Sequence, residues 1–178
     1  MKANLPMNKT RVLALCSVFS ALGVIILYLG ALIEVLDLSM AVVASLLVIM
    51  AVIELGGIYP WLIYAVTSVL SLLLLPNKFG AVVYFAFAGF YPILKEKLER
   101  VPGLVCLVLK FVVFNICLLT MYGVARAFSL IINAEVALWM IAVTLNLLFV
   151  VYDIALTRLI GTYLRVWRKK LKIDKWKD

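Results

Sequence analysis

The chain has 178 residues, of which 67% are hydrophobic and 15% charged, and its formal net charge is +8. Soluble domains run at roughly 45–50% apolar and about 25% charged, so a water-soluble fold of this sequence would expose the large apolar patches that monomeric proteins avoid. The composition is that of an integral membrane protein, and the absence of histidine excludes Ser-His-Asp triads, Cys-His dyads and the His-containing zinc sites.

A crossing helix takes about 20 mainly apolar residues, because in lipid only the helix itself satisfies its backbone. Residues 1–11 form a basic N-terminal segment, followed by Val12–Ile33, a full span without a charge. The basic start suggests a secretory signal. The apolar run is too long for one, however, and no small-residue cleavage site follows, so it reads as a retained span. Leu38–Ile53 is shorter and crosses with its polar flanks, in a thin region of bilayer, or incompletely. Ile58–Leu75 carries Pro60 in its first turn, where a missing N–H costs little. Phe79–Leu94 is short again, Gly103–Ala125 is long, and a last helix runs from Ala134 to Leu164. Glu34–Asp37, Gly56-Gly57, Pro76-Asn77-Lys78, Lys95–Pro102 and Ala127–Asn133 separate them, with the charged, Gly, Pro and Asn residues expected of turns. The expected fold is an all-α integral membrane protein, a compact bundle of six transmembrane helices over residues 12–164, with a basic tail over 165–178. A re-entrant pair of the two short segments would reduce the crossings to four.

Orientation follows from lysine and arginine placement. With both ends in the cytoplasm, Lys2, Lys9, Arg11, Lys95, Lys97, Arg100 and the tail cations Arg165, Arg168, Lys169, Lys170, Lys172, Lys175 and Lys177 all lie inside. Only Lys78 and Arg126 then lie outside. That bias requires an even number of crossings. It also assigns the positive charge to topology and to anionic headgroups rather than to nucleic acid. Docking of a cytoplasmic partner is the other use of the tail, and Trp167 and Trp176 suit the membrane interface.

Polar residues inside spans are costly and therefore informative. On the last span Trp139, Asn146 and Asp153 recur every seven residues, on one face that should look into the bundle. Lys110 on the fifth span lies at the depth of Asp153, with Arg158 and Glu54 as further candidates. An ion pair there either holds helices together or serves gating or ion coupling; without histidine or a second deep carboxylate it makes no proton relay. Asn115 and Asn146 fall near mid-membrane, placed either to hydrogen-bond across the helix interface or to line a pocket.

At the outer side, Glu34, Asp37, Asn77, Lys78, Arg126, Asn133 and Glu135 lie above Tyr28, Tyr122 and Trp139. Charges of both signs over aromatic walls form either a mouth for a small polar-aromatic molecule or ordinary loop charges above an aromatic belt. Candidate substrate-binding residues are Tyr28, Glu34, Asp37, Lys78, Tyr122, Arg126, Trp139 and Asn146. The first span also carries a small-residue stripe, Thr10, Ala14, Ser17 and Ala21, of the kind through which membrane helices approach closely. It serves either internal packing or docking of a second membrane protein. Gly80, Ala81, Ala88 and Gly89 give the fourth span similar close-packing potential. Cys16, Cys106 and Cys117 sit singly in apolar stretches without CxxC spacing and read as small packing residues. No catalytic constellation, metal set or cofactor motif is present in the sequence.

The layout resembles the substrate-binding S components of energy-coupling-factor transporters, prokaryotic importers of vitamins and other micronutrients. The likeness rests on the basic N-terminus running into Thr10-Arg11-Val-Leu-Ala-Leu-Cys-Ser-Val-Phe-Ser-Ala-Leu-Gly, then Asp37-Leu-Ser before a short second helix. The glycine turn Glu54-Leu-Gly-Gly, the Leu/Ser-rich third span ending Leu75-Pro76, and six spans in a chain of this length complete it. In that family two alanines four apart on the first helix contact the transmembrane coupling subunit; Ser17 and Ala21 stand at the matching positions, the serine departing from the pattern while remaining small. The resemblance implies a multi-pass protein of the prokaryotic plasma membrane that binds a small molecule from outside. It would dock on a coupling subunit driven by two cytosolic ATPases and itself catalyse nothing. The alternative expectation is a non-catalytic accessory or scaffolding membrane protein. An enzyme acting on lipids lacks the paired carboxylates or nucleophile-base pair it would need.

Overall fold

The computed structural model describes residues 9–101, 103–127, 138–163 and 165. Among them all regular structure is helical. In chain order it comprises α1 (Lys9–Leu32), a 3-10 turn (Glu34–Leu36), α2 (Asp37–Glu54), α3 (Tyr59–Leu74), α4 (Phe79–Val83), a π-helical turn (Tyr84–Ala88), α5 (Tyr91–Leu98), α6 (Leu104–Ala127) and α7 (Leu138–Thr162). Lys9–Leu32, Asp37–Glu54, Leu104–Gly123 and Trp139–Thr162 are long and apolar enough to cross a membrane. The described residues are therefore all-α with four candidate membrane-spanning helices, as in a multi-pass membrane protein. The 16 residues of α3 reach about 24 Å at ~1.5 Å per residue, short of a hydrocarbon core of about 30 Å.

The stretch expected as a single short span, Phe79–Leu94, is not one helix. Pro92 lacks an N–H, and its ring excludes the carbonyl four residues back. The chain absorbs this in the preceding turn, where the Gly89 N–H donates to the Tyr84 carbonyl five residues back, at 2.8 Å. The Phe85 carbonyl, which a regular α-helix would pair with Gly89, accepts instead from the Tyr64 hydroxyl at 2.8 Å. Tyr64 also packs edge-on against Trp61 and Phe90. A Cβ at Gly89 would lie 2.6 Å from Tyr64 Cδ2 and 2.8 Å from Tyr84 Cε1. Gly89→Ala is accordingly expected to cost about 1–3 kcal/mol through overpacking, read as a lowered unfolding temperature in detergent. An unchanged midpoint would show that these rings yield freely.

The chain divides into two compact units, residues 1–97 with 162–178, and residues 98–161. In the first, α1 packs on both α2 and α3 through small and hydroxyl-bearing residues. Cys16, Ser20 and Gly23 of α1, Ala41, Ala44 and Ser45 of α2, and Thr67, Ser68 and Ser71 of α3 are all buried. Such faces let helix backbones approach in lipid, where burying apolar surface earns no hydrophobic gain. Three of the hydroxyls donate to nearby carbonyls, Ser45 to Val42 at 2.6 Å, Ser71 to Ser68 at 3.1 Å, and Thr67 to Ser20 of α1 at 3.5 Å, while the buried Ser68 hydroxyl has no hydrogen-bond partner among the described residues. The α2–α3 turn places Gly56 and Gly57 at φ near +62° and +60°, a region that costs a residue with a Cβ about 1–2 kcal/mol.

The second unit contains α6 and α7, joined by large side chains. Phe114 and Phe149 stack with centroids 4.5 Å apart and planes at 10°, and Phe111 meets Phe149 edge-on at 5.5 Å.

Candidate functional site

Two polar assemblies hold the candidate residues Lys110, Asn146 and Asp153 in one unit and Asp37 and Lys78 in the other. In the unit of α6 and α7, Lys110 Nζ donates to both carboxylate oxygens of Asp153, at 2.9 and 3.2 Å. It also lies 3.5 Å from Glu99 Oε1. The Lys110 and Asp153 side chains are 12% and 20% exposed, so this pair is largely removed from solvent. Further along the same two helices Asn115 and Asn146 exchange amide hydrogen bonds at 3.0 and 3.3 Å. Each amide nitrogen also donates within its own helix, to Phe111 and Ala142 respectively, which uses both Asn146 N–H groups. Beside this seam runs an open groove of about 360 Å³ lined by Phe111, Ala142, Val143, Asn146, Leu147 and Val150. With the Asn146 donors engaged, the groove offers apolar contact and little polar recognition.

Asn146 and Asp153 thus meet α6 as their seven-residue spacing predicts, but Trp139, expected on the same inward face, is 66% exposed. A straight helix drifts about 20° per heptad, and Trp139 lies two heptads from Asp153, at the start of α7. Tyr122 is half-buried on α6.

In the other unit Lys78 stands in the expected turn between α3 and α4, while Asp37 belongs to a helix rather than to the loop before it. Asp37 opens α2 and is 3% exposed. Its Oδ2 accepts from Asn77 Nδ2 at 2.9 Å, and the Asn77 side-chain oxygen accepts from the Phe79 N–H at 3.0 Å. One side chain thus ties the start of α2 to the start of α4. Gly80 permits the approach, because a Cβ there would stand 3.2 Å from Asp37 Oδ1. Lys78 turns back along the chain, its Nζ donating to the Leu75 carbonyl at 2.5 Å and to Leu73 at 3.4 Å. It thereby satisfies carbonyls that the end of α3 leaves open. Lys78 thus completes the end of α3 and Asn77 compensates the buried Asp37 carboxylate, because an uncompensated polar group at an apolar interface is costly. Asn77→Ala removes a hydrogen bond to a buried carboxylate and is expected to lower stability by about 1–3 kcal/mol. Asn77→Asp, which sets two carboxylates together, should cost more; the order of the two melting temperatures is the check.

Tyr28 is 42% exposed on α1. Glu34 lies in the 3-10 turn and Arg126 near the end of α6, their side chains outside the described part of the molecule. Asn133, Glu135, Trp167, Trp176 and the tail from Arg168 onward also lie outside the described residues. Ala14, Ser17 and Ala21 are exposed, and Ser17 donates to its own helix at Leu13, 3.0 Å away.

Lys95, expected in a cytoplasmic loop, belongs to α5 and is 1% exposed. Tyr84, Ala88, Tyr91 and Lys95, all buried, stand at spacings of four, three and four, a helical face that was visible in the sequence. The assignment of Lys95 to a loop passed over that signal. Among the described residues no cluster of His, Cys, Asp and Glu is arranged to hold a metal. Compared with known protein families, characterised proteins and solved structures, the chain has no significant match.

Proposed function

We propose that the chain is the substrate-binding membrane subunit of a micronutrient importer of the prokaryotic plasma membrane. On this reading it has six crossings with both ends inside and captures a small molecule from outside. It then docks through α1 on a coupling subunit driven by two cytosolic ATPases. One observation carries this reading: the stripe Ala14, Ser17, Ala21 is exposed, while Val12, Cys16, Ser20 and Gly23 of the same helix are buried. At 100° per residue the stripe lies about 130° round the helix from the centre of the buried face. It is thus set aside from the α1–α2–α3 packing, and small residues leave a partner helix room to approach.

Affinity purification from the native membrane, followed by mass spectrometry, tests it. The expected result is a membrane coupling subunit with two ATPases and a bound small metabolite. Purification without either would favour a scaffolding role. The internal engagement of Asp37, Asn77 and Lys78 favours that second reading, because it withdraws those residues from ligand recognition.

A further inference from the structure

One end of the unit containing α1–α5 collects positive charge from distant parts of the sequence. α1 begins at Lys9 and α2 ends at Glu54; the two helices pack together across a short connection, so they run antiparallel and those termini share an end. Just beyond α7, the Tyr163 hydroxyl donates to Glu54 Oε1 at 3.2 Å. This bond brings Arg165, exposed and two residues further on, to the end where Lys9 and Arg11 are exposed in the first turn of α1. That first turn holds no acidic residue, although the positive pole of a helix favours anions. Lys9 and Arg11 therefore add like charge to that pole, and together with Arg165 they outnumber the carboxylate of Glu54 at this end.

We infer that this end of the molecule is a binding surface for anionic phospholipid headgroups, formed jointly by Lys9 and Arg11 at the start of α1 and by Arg165 just beyond α7. Tyr59 and Trp61, in the first turn of α3 at the same end, argue for a bilayer rather than an acidic protein. Trp61 is 40% exposed, and such rings settle at headgroup depth. The inference stands independently of the importer reading.

Native mass spectrometry of the full-length protein in neutral detergent, titrated with phosphatidylglycerol or phosphatidylcholine, tests it. The wild type should retain phosphatidylglycerol preferentially and lose it as salt rises. Lys9→Gln/Arg11→Gln/Arg165→Gln should weaken that retention by about 100-fold while leaving phosphatidylcholine retention and the unfolding temperature unchanged. Tyr163→Phe, which removes only the bond to Glu54, should weaken it by a smaller factor. Equal retention of the two lipids by the wild type, or a triple variant that retains phosphatidylglycerol fully, would overturn the assignment. Displacement by soluble glycerol phosphate at equal concentration would overturn it too, as would a polyglutamate peptide binding where phosphatidylglycerol does not. Full retention by Tyr163→Phe would overturn the joint construction of the surface.

Discussion

On the importer reading, replacing Ala21 with tryptophan is expected to lower uptake of the bound small molecule at least tenfold in initial rate, while the unfolding temperature stays at the wild-type value. Ala21 is exposed, so the indole meets none of the buried α1–α2–α3 packing, and surface substitutions of this kind usually change stability by less than about 0.5 kcal/mol. A partner helix seated on the stripe would instead be pushed off its seat, since close approach depends on small side chains there. Leu22→Trp is the matched control. Leu22 is 43% exposed but lies about 100° round the helix from Ala21, so its replacement should leave uptake intact. A general loss of stability in Ala21→Trp would mark the stripe as packing. Full uptake in a stable variant would remove α1 as the docking helix.

Breaking the Lys110–Asp153 pair should give the largest loss of stability of any single substitution discussed. Asp153→Asn leaves Lys110 charged and largely screened from water, and Lys110→Met does the same to Asp153. Removing one partner of a buried pair costs about 3–5 kcal/mol. The double replacement Lys110→Met/Asp153→Leu should recover most of it, because an apolar pair of similar volume carries no desolvation cost. Glu99→Gln should cost under about 1 kcal/mol, since the Glu99 side chain is 41% exposed and 3.5 Å away and exposed pairs contribute little. Thermal unfolding of the four variants in one detergent tests this. Additive losses in the double variant would show that the two residues act separately. Uptake by the double variant separates the two roles open to the pair: retained uptake makes it structural, while recovered stability with lost uptake assigns it to gating or ion coupling.

How much of this was legible depended on whether a residue's partner lay near it in sequence or across the fold. The Asp153–Lys110 pairing was readable because Lys110 is the one charge within Gly103–Ala125 and Asp153 the one acidic residue within Leu138–Thr162, and in lipid such charges have few solutions. The Asn115–Asn146 contact followed the same logic. For Asp37 and Lys78 the sequence leaves two readings open, a ligand mouth or ordinary loop charges above an aromatic belt, because charges near turns look alike in either role. Their engagement with Asn77 and with the end of α3 depends on how α2, α3 and α4 close on one another. Lys95 was placed in a loop by its charge, although its spacing from Tyr84 and Tyr91 put it on a buried helical face.

The interrupted fourth segment shows the same division. Pro92 was present in the sequence, but whether a chain answers proline by kinking, ending or widening a helix depends on which neighbour can donate to the carbonyl left open. Here that neighbour is Tyr64, 21 residues away. Composition and apolar run length by themselves determined that the chain is helical with spans suited to lipid, because a bilayer leaves the backbone no other way to satisfy its hydrogen bonds. Tertiary structure alone decided which polar side chains remain available and which are consumed in closing helix ends. That outcome turns on angstrom-scale contacts between segments distant in sequence, where a buried donor or acceptor takes whichever partner the packing brings within reach.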